Sequence, residues 1–203
     1  MHYESLNQET KKVWDSCVFL RDDFYLAGGT ALALQIGHRI SVDLDFFSSN
    51  PIKKTLLAKI EEVFKMVSVL VNTKNELTVT ADGVKMTFLH YPFILKYKTI
   101  DTSVVPLASV SDIVSMKAYT LGRRRSFKDY VDLYFILSGE YATFDMMISD
   151  AKEKYGNAFN DRLFCEQLTS PEDLDDENIV WVKRQQSKES MQIFFQEKIK
   201  GLL

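Results

Sequence analysis

The twenty residues from Gly28 to Phe47 read Gly-Gly-Thr-Ala-Leu-Ala-Leu-Gln-Ile-Gly-His-Arg-Ile-Ser-Val-Asp-Leu-Asp-Phe-Phe. They join a glycine pair, a short apolar helix and an Asp-x-Asp strand. Glycine lets a backbone come close to a phosphate, and a helix N-terminus after it offers N–H groups to an anion. Asp43 and Asp45 are two apart, so on a strand both side chains leave by one face. Two carboxylates on one face make a hard oxygen site suited to Mg²⁺ or Mn²⁺. Leu44, Phe46 and Phe47 surround them, so this is not a polar loop. Two like charges in an apolar setting need a cation to stay ionised together.

The remaining pattern divides the chain in two. Leu6 to Leu20 reads as a helix, Phe24 to Ala27 as a strand, Thr30 to Ile36 as a helix stopped by Gly37, and Val42 to Phe47 as a second strand. Pro51 suits the first turn of a helix running from Ile52 to Phe64. Met66 to Val71 reads as a strand. Glu76 to Ala81 and Val84 to Tyr91 flank Asp82-Gly83, a strong hairpin signal. Tyr97 to Ile100 and Val104 to Leu107 are further strand candidates. From Ser109 the pattern is helical. The expected fold class is α+β: a mixed sheet with flanking helices over residues 1–107, then an α-helical lobe over 108–203, with a cleft between them.

Composition narrows the function classes. With 203 residues, 46% hydrophobic, the chain can bury a real core. It has no apolar run of the ~20 residues that a membrane span needs and no signal-peptide pattern, so a cytoplasmic location is expected. Two cysteines, Cys17 and Cys165, suggest a reducing compartment, and His2, His38 and His90 follow no metal-ligand spacing. The net charge of −3 is not that of a general nucleic-acid binder, so any RNA contact must be local. The one basic cluster is Arg123-Arg124-Arg125 with Lys128. It suits either a helix end or a phosphate contact.

Two charged residues fall on apolar helix faces. With Ser111 as N-cap of a helix running to about Arg123, Val110, Ile113, Val114 and Leu121 form a stripe with Lys117 near its middle. A lysine there is either paired in a buried structural contact or aimed into a cavity. Asp129 lies between Leu133 and Ile136 on the next helix. Ser126-x-x-Asp129 also fits a capping box. Asp132 is offset from the apolar centre and reads as structural or as a support for a neighbouring site residue.

These segments resemble the AbiEii/AbiGii nucleotidyltransferase toxin family of the polymerase-beta-like nucleotidyltransferase superfamily. Gly28-Gly29-Thr30 through Asp43-Leu44-Asp45-Phe46-Phe47 is similar to the family's first motif. Ser115-Met116-Lys117-Ala118-Tyr119-Thr120-Leu121 resembles its lysine motif. Arg125-Ser126-Phe127-Lys128-Asp129-Tyr130-Val131-Asp132-Leu133 resembles its Arg/Lys-Asp-x-x-Asp-Leu element. The resemblance covers roughly residues 20 to 140.

It implies a nucleotidyltransferase core and a set of roles. Gly28, Gly29 and Thr30 would hold a triphosphate, with Arg39 and Ser41 beside them. Asp43 and Asp45 would hold Mg²⁺ or Mn²⁺. Lys117 would contact phosphate, and Asp129 would be the acidic partner or base. Arg39, Lys117 and the Arg123–Arg125 run would neutralise phosphate charge in the transition state. The implied reaction moves a nucleoside monophosphate from a nucleoside triphosphate to a hydroxyl on a tRNA 3′ end or a protein, releasing pyrophosphate. The protein would be the toxin of a toxin–antitoxin or abortive-infection pair, with a cognate antitoxin as partner. One departure stands out. The superfamily often has a third carboxylate on a later strand, and Thr87 occupies that place. Asp129 or substrate phosphates would then complete the metal shell, or one ion binds, or transfer is lost. The alternatives are a nucleotide- or partner-binding module on the same fold, and transfer of the γ-phosphate from the same cleft.

Overall fold

The computed structural model describes residues 1–121, 123–124, 126–171 and 178–200. The chain forms two compact units, residues 1–109 and 110–203.

The first unit is built on a five-stranded mixed sheet in the order β1-β2-β5-β4-β3. Its strands are β1 (Tyr25–Ala27), β2 (Leu44–Ser48), β3 (Val67–Asn72), β4 (Glu76–Ala81) and β5 (Val84–His90). β2 and β5 run parallel, and the other pairs are antiparallel. The β4–β5 hairpin turns on Asp82-Gly83 with φ of 45° and 85°. Positive φ at both central residues gives the turn the twist that the flanking strands require. Three helices accompany the sheet: α1 (Gln8–Asp15), α2 (Gly28–Ile36) and α3 (Leu56–Val63).

Strand alternation decides which face is core. Leu26, Leu44, Phe46, Met86, Phe88, Leu77 and Val79 are buried, and the register places them on one face. Phe46 and Phe88, cross-strand partners, stack with centroids 5.1 Å apart. Burying a ring of this size stabilises the fold by about 1.5–3 kcal/mol. The other face carries Tyr25 and Ala27 on β1, Asp45 and Phe47 on β2, Thr87 and Leu89 on β5, and Thr78 on β4.

The second unit is helical: α4 (Val110–Leu121), α5 (Phe127–Ser138), α6 (Phe144–Tyr155), α7 (Asp161–Leu168) and α8 (Lys188–Lys200). Residues 112–118 of α4 are all buried, two of them charged. Asp112 meets Lys154 of α6 at 2.7 Å. Tyr130 and Tyr134 of α5 pack edge-on against Phe195 and Phe194 of α8.

Several elements differ from the sequence reading. The first helix ends at Asp15, and Cys17–Leu20 forms a 3₁₀ turn instead. The third begins at Leu56, so Pro51 precedes it by more than a turn. Residues 97–100 and 104–107 contribute only isolated bridges, Ile100 with Leu107 and Leu26 with Leu107. α4 starts at Val110, which puts Ser111 inside its first turn. β2 begins at Leu44, so Asp43 precedes the ladder rather than belonging to it. The reason is local. β1 ends at Ala27, the partner of Asp45, and the Asp43 carbonyl accepts the Thr30 hydroxyl of α2 instead of a strand N–H.

Candidate active site

Gly28 opens α2 directly after β1, with φ of 67°. L side chains rarely adopt this left-handed conformation, and glycine does so without steric cost. Space gives a second reason. A Cβ built on Gly28 would lie 3.0 Å from Asp45 Oδ2. The carboxylate therefore rests against the bare backbone at the start of the helix. There the first-turn N–H groups have no intrahelical acceptor, and the dipole favours negative charge.

Thr30, Ser41 and Arg39 lie beneath this surface. All three are buried. The Thr30 hydroxyl donates to the Asp43 carbonyl, and Ser41 Oγ lies 2.7 Å from Thr30 Oγ1. Arg39 Nη1 donates to the Ile40 carbonyl at 3.2 Å and to Ser41 Oγ at 3.4 Å. These groups tie the start of α2 to the approach to β2. Through its carbonyl they fix where Asp43 stands, and the Thr30 hydroxyl is directed inside the protein. Asp43 and Asp45 themselves are half-buried. Thr87 is the register partner of Asp45, so a carboxylate at 87 would face Asp45 about 4.8 Å away across the strands. Thr78 is the next residue in that row. Among the described residues no group of three or more His, Cys, Asp or Glu side chains could hold a metal ion. The donor set here is two carboxylates against a glycine cradle. That suits a hard divalent cation whose remaining positions are filled by water or phosphate oxygens.

The helical unit holds the other expected residues. Lys117 Nζ lies 2.5 Å from Asp129 Oδ1 and 2.5 Å from Asp132 Oδ2, all three side chains at most 5% exposed. Arg124 grips Asp129 with Nε on Oδ2 at 2.7 Å and Nη2 on Oδ1 at 2.9 Å. Burial pushes the Asp129 pKa up, but the Lys117 and Arg124 charges and hydrogen bonds outweigh it and hold the group below its usual value. The Ser126 side chain makes no cap bond to α5. Asp129 is engaged in the ion network with Lys117 and Arg124. Asp132, read from sequence as offset, touches the ammonium directly.

Of the basic run, Arg123 stacks over the Tyr119 ring at 3.5 Å and donates to the Tyr119 and Ala158 carbonyls. Arg124 serves Asp129, and Arg125 lies outside the described residues. The sequence reading missed Arg124 and Asp132 as partners in this network. Helical spacing carried a signal for Asp132, since residues 129 and 132 lie three apart on one face of α5.

Comparison with known proteins bears on family and fold. The family model "Nucleotidyl transferase AbiEii toxin, Type IV TA system" matches residues 13–100. An uncharacterized protein of Aquifex aeolicus (strain VF5), aq_aa25, is 31% identical over 205 aligned residues, covering 98% of each chain. The crystal structure of a candidate nucleotidyltransferase from H. pylori superposes with a TM-score of 0.59 at 18% identity, over 97% of both chains. That of JHP933 from Helicobacter pylori does so with a TM-score of 0.53 at 15% identity, again over 97% of both. At these identities the two structures establish a shared fold. No helix among the described residues is long and apolar enough to cross a membrane. The glycine-opened helix, the Asp-x-Asp segment and the family match over residues 13–100 lead to one conclusion: the chain belongs to the AbiEii nucleotidyl transferase toxin family.

Proposed function

We propose that this protein transfers a nucleoside monophosphate from a nucleoside triphosphate to an acceptor hydroxyl in a Mg²⁺- or Mn²⁺-dependent reaction. The observation that carries this reading is the Asp45 carboxylate seated on the Gly28 backbone at the start of α2. Asp43 and Asp45 would hold the cation, with Thr87 in the place where a third carboxylate would stand. The cation neutralises phosphate charge as a Lewis acid when bound. The backbone of Gly28 and Gly29 admits the triphosphate to the helix N-terminus. Arg39, Ser41 and the Thr30 hydroxyl act by fixing the backbone at Asp43. The acceptor oxygen bonds to the α-phosphorus, its proton passes to solvent or a base, and the bond to the leaving pyrophosphate breaks.

Lys117 and Asp129 take the phosphate-contact and acidic roles on the strength of the family resemblance. In the resting protein their charges balance within the α4–α5 network, so phosphate contact requires Lys117 to loosen its hold on two carboxylates. In this reading the protein is the toxin of a type IV toxin–antitoxin system, paired with a cognate antitoxin and acting in the cytoplasm. The test is incubation with each α-labelled triphosphate and total RNA, followed by gel separation. Label in RNA supports the proposal, and its absence under all four triphosphates opposes it. Label in a protein band keeps the reaction and moves the acceptor.

A further inference from the structure

β3 forms one edge of the sheet. The Met66 carbonyl accepts the Asp82 N–H at 2.9 Å. By alternation along an antiparallel ladder, Met66 and Ser68 then turn their backbone groups toward β4, and Val67 and Val69 turn theirs away from the sheet. Natural sheets blunt such an edge with charges, proline or bulges. Residues 66–72 read Met-Val-Ser-Val-Leu-Val-Asn, with no charge and no proline. The device present is a register shift between Val69 and Val71, which leaves Val67 to Val69 regular. Met66 is 69% exposed, Leu70 59% and Val69 45%. An uncharged apolar edge of this kind is a template for a further strand.

This edge is complementary to itself. In an antiparallel pair of two β3 strands centred on Ser68, Val67 of one copy lies opposite Val69 of the other. The outward N–H and C=O groups of these residues then exchange both hydrogen bonds. Val67 and Val69 share a sheet face with their register partners Ala81 and Val79, which are fully buried. The valines of two copies therefore extend that core across the junction, and Met66 of each falls beside Leu70 of the other. Charge follows the same polarity. At the start of β3 stand Glu61 and Glu62, on the last turn of α3, and Asp82, with Lys65 among them. At its end stands Lys74, whose carbonyl accepts the Ile52 N–H at 3.1 Å, with Lys54 two residues beyond Ile52. Glu76 at this end accepts the Thr78 hydroxyl at 2.7 Å. Antiparallel pairing sets the acidic start of each strand against the basic end of the other, twice by symmetry. Parallel pairing sets like against like.

We propose that two copies of this chain associate through β3, joining their five-stranded sheets into one about a twofold axis at Ser68. β1 and β2, which flank the candidate active site, lie at the opposite edge of the sheet and take no part in the junction.

The test is sedimentation of the full chain over a concentration series from about 1 to about 300 μM. The average mass is expected to climb from that of one chain toward that of two. Leu70→Lys, at an exposed position, and Val67→Pro, which removes an outward N–H, are each expected to weaken association by about tenfold or more. Leu70→Lys decides the matter if Val67→Pro fails to fold. A charge swap tests the polarity. Glu61→Lys with Glu62→Lys should weaken association, and so should Lys54→Glu with Lys74→Glu. An equimolar mixture of these two double variants should restore it, because every cationic end then meets an anionic one. A wild type that stays a single chain throughout the series would overturn the proposal. So would association left unchanged by Leu70→Lys, with the variant shown folded by circular dichroism. A mixture that associates no better than its components would overturn it as well.

Discussion

Lys117→Met separates what Lys117 does for the fold from what it does for chemistry. The ammonium touches Asp129 and Asp132 at 2.5 Å each, and both carboxylates are fully buried. Methionine fills similar volume but removes the charge that both acids share. Asp129 keeps Arg124, whereas Asp132 loses its ammonium. Breaking a buried pair from one side costs about 3–5 kcal/mol. For a chain of this size that lowers Tm by roughly 6–20 °C. A second change, Asp132→Asn, removes the negative charge that the ammonium had balanced. The double variant should recover a good part of the loss, with a coupling of about 0.5–3 kcal/mol between the two positions. Thermal melts of the two single variants, the double variant and the wild type measure it. If Lys117 also contacts phosphate, activity stays lost in the double variant while stability returns. An unchanged Tm in Lys117→Met would refute the reasoning, because it would mean that the network stores no folding energy. Activity recovered together with stability would reduce Lys117 to a structural residue.

Four other outcomes follow from the geometry. Gly28→Ala places a Cβ 3.0 Å from Asp45 Oδ2 in a left-handed backbone, which costs about 1–2 kcal/mol and should displace the carboxylate; calorimetry should show weakened Mn²⁺ binding. Asp43→Asn with Asp45→Asn should abolish Mn²⁺ binding with circular dichroism unchanged, and retained affinity would move the metal site elsewhere. Thr87→Asp puts a third carboxylate opposite Asp45, so its Tm should fall without metal and rise on adding Mn²⁺ by more than the wild type's does. The Asp129 pKa is held below its unfolded value of about 3.9, so its stabilisation is present above that value and is lost as pH falls through the folded one. Between pH 7 and pH 3, Asp129→Asn should therefore lose less Tm than the wild type, and equal losses would count against the ion network.

The legible parts of this chain were those in which local pattern and tertiary structure agree. Asp82-Gly83 between alternating strands allowed little but a hairpin. The glycine pair, the apolar helix and Asp-x-Asp placed the candidate site because its parts are consecutive in sequence. Asp43 misled, since strand alternation assumes a ladder, and the ladder stops where β1 turns into α2. Lys117 on an apolar stripe announced a buried charge, but spacing alone could not say which acids it meets, because those lie on another helix. The Asp132 contact was illegible for the same reason, because its partner Lys117 lies on α4.

The central claim is that Asp43 and Asp45 serve transfer of the α-phosphorus. It is tested most directly by parallel reactions with α-labelled and γ-labelled triphosphate, wild type beside Asp45→Asn, with Mg²⁺ and total RNA. The account predicts α-label in RNA, γ-label released as pyrophosphate, and neither event with Asp45→Asn. Label transferred from the γ position with release of nucleoside diphosphate, or α-transfer undiminished in Asp45→Asn, would contradict it.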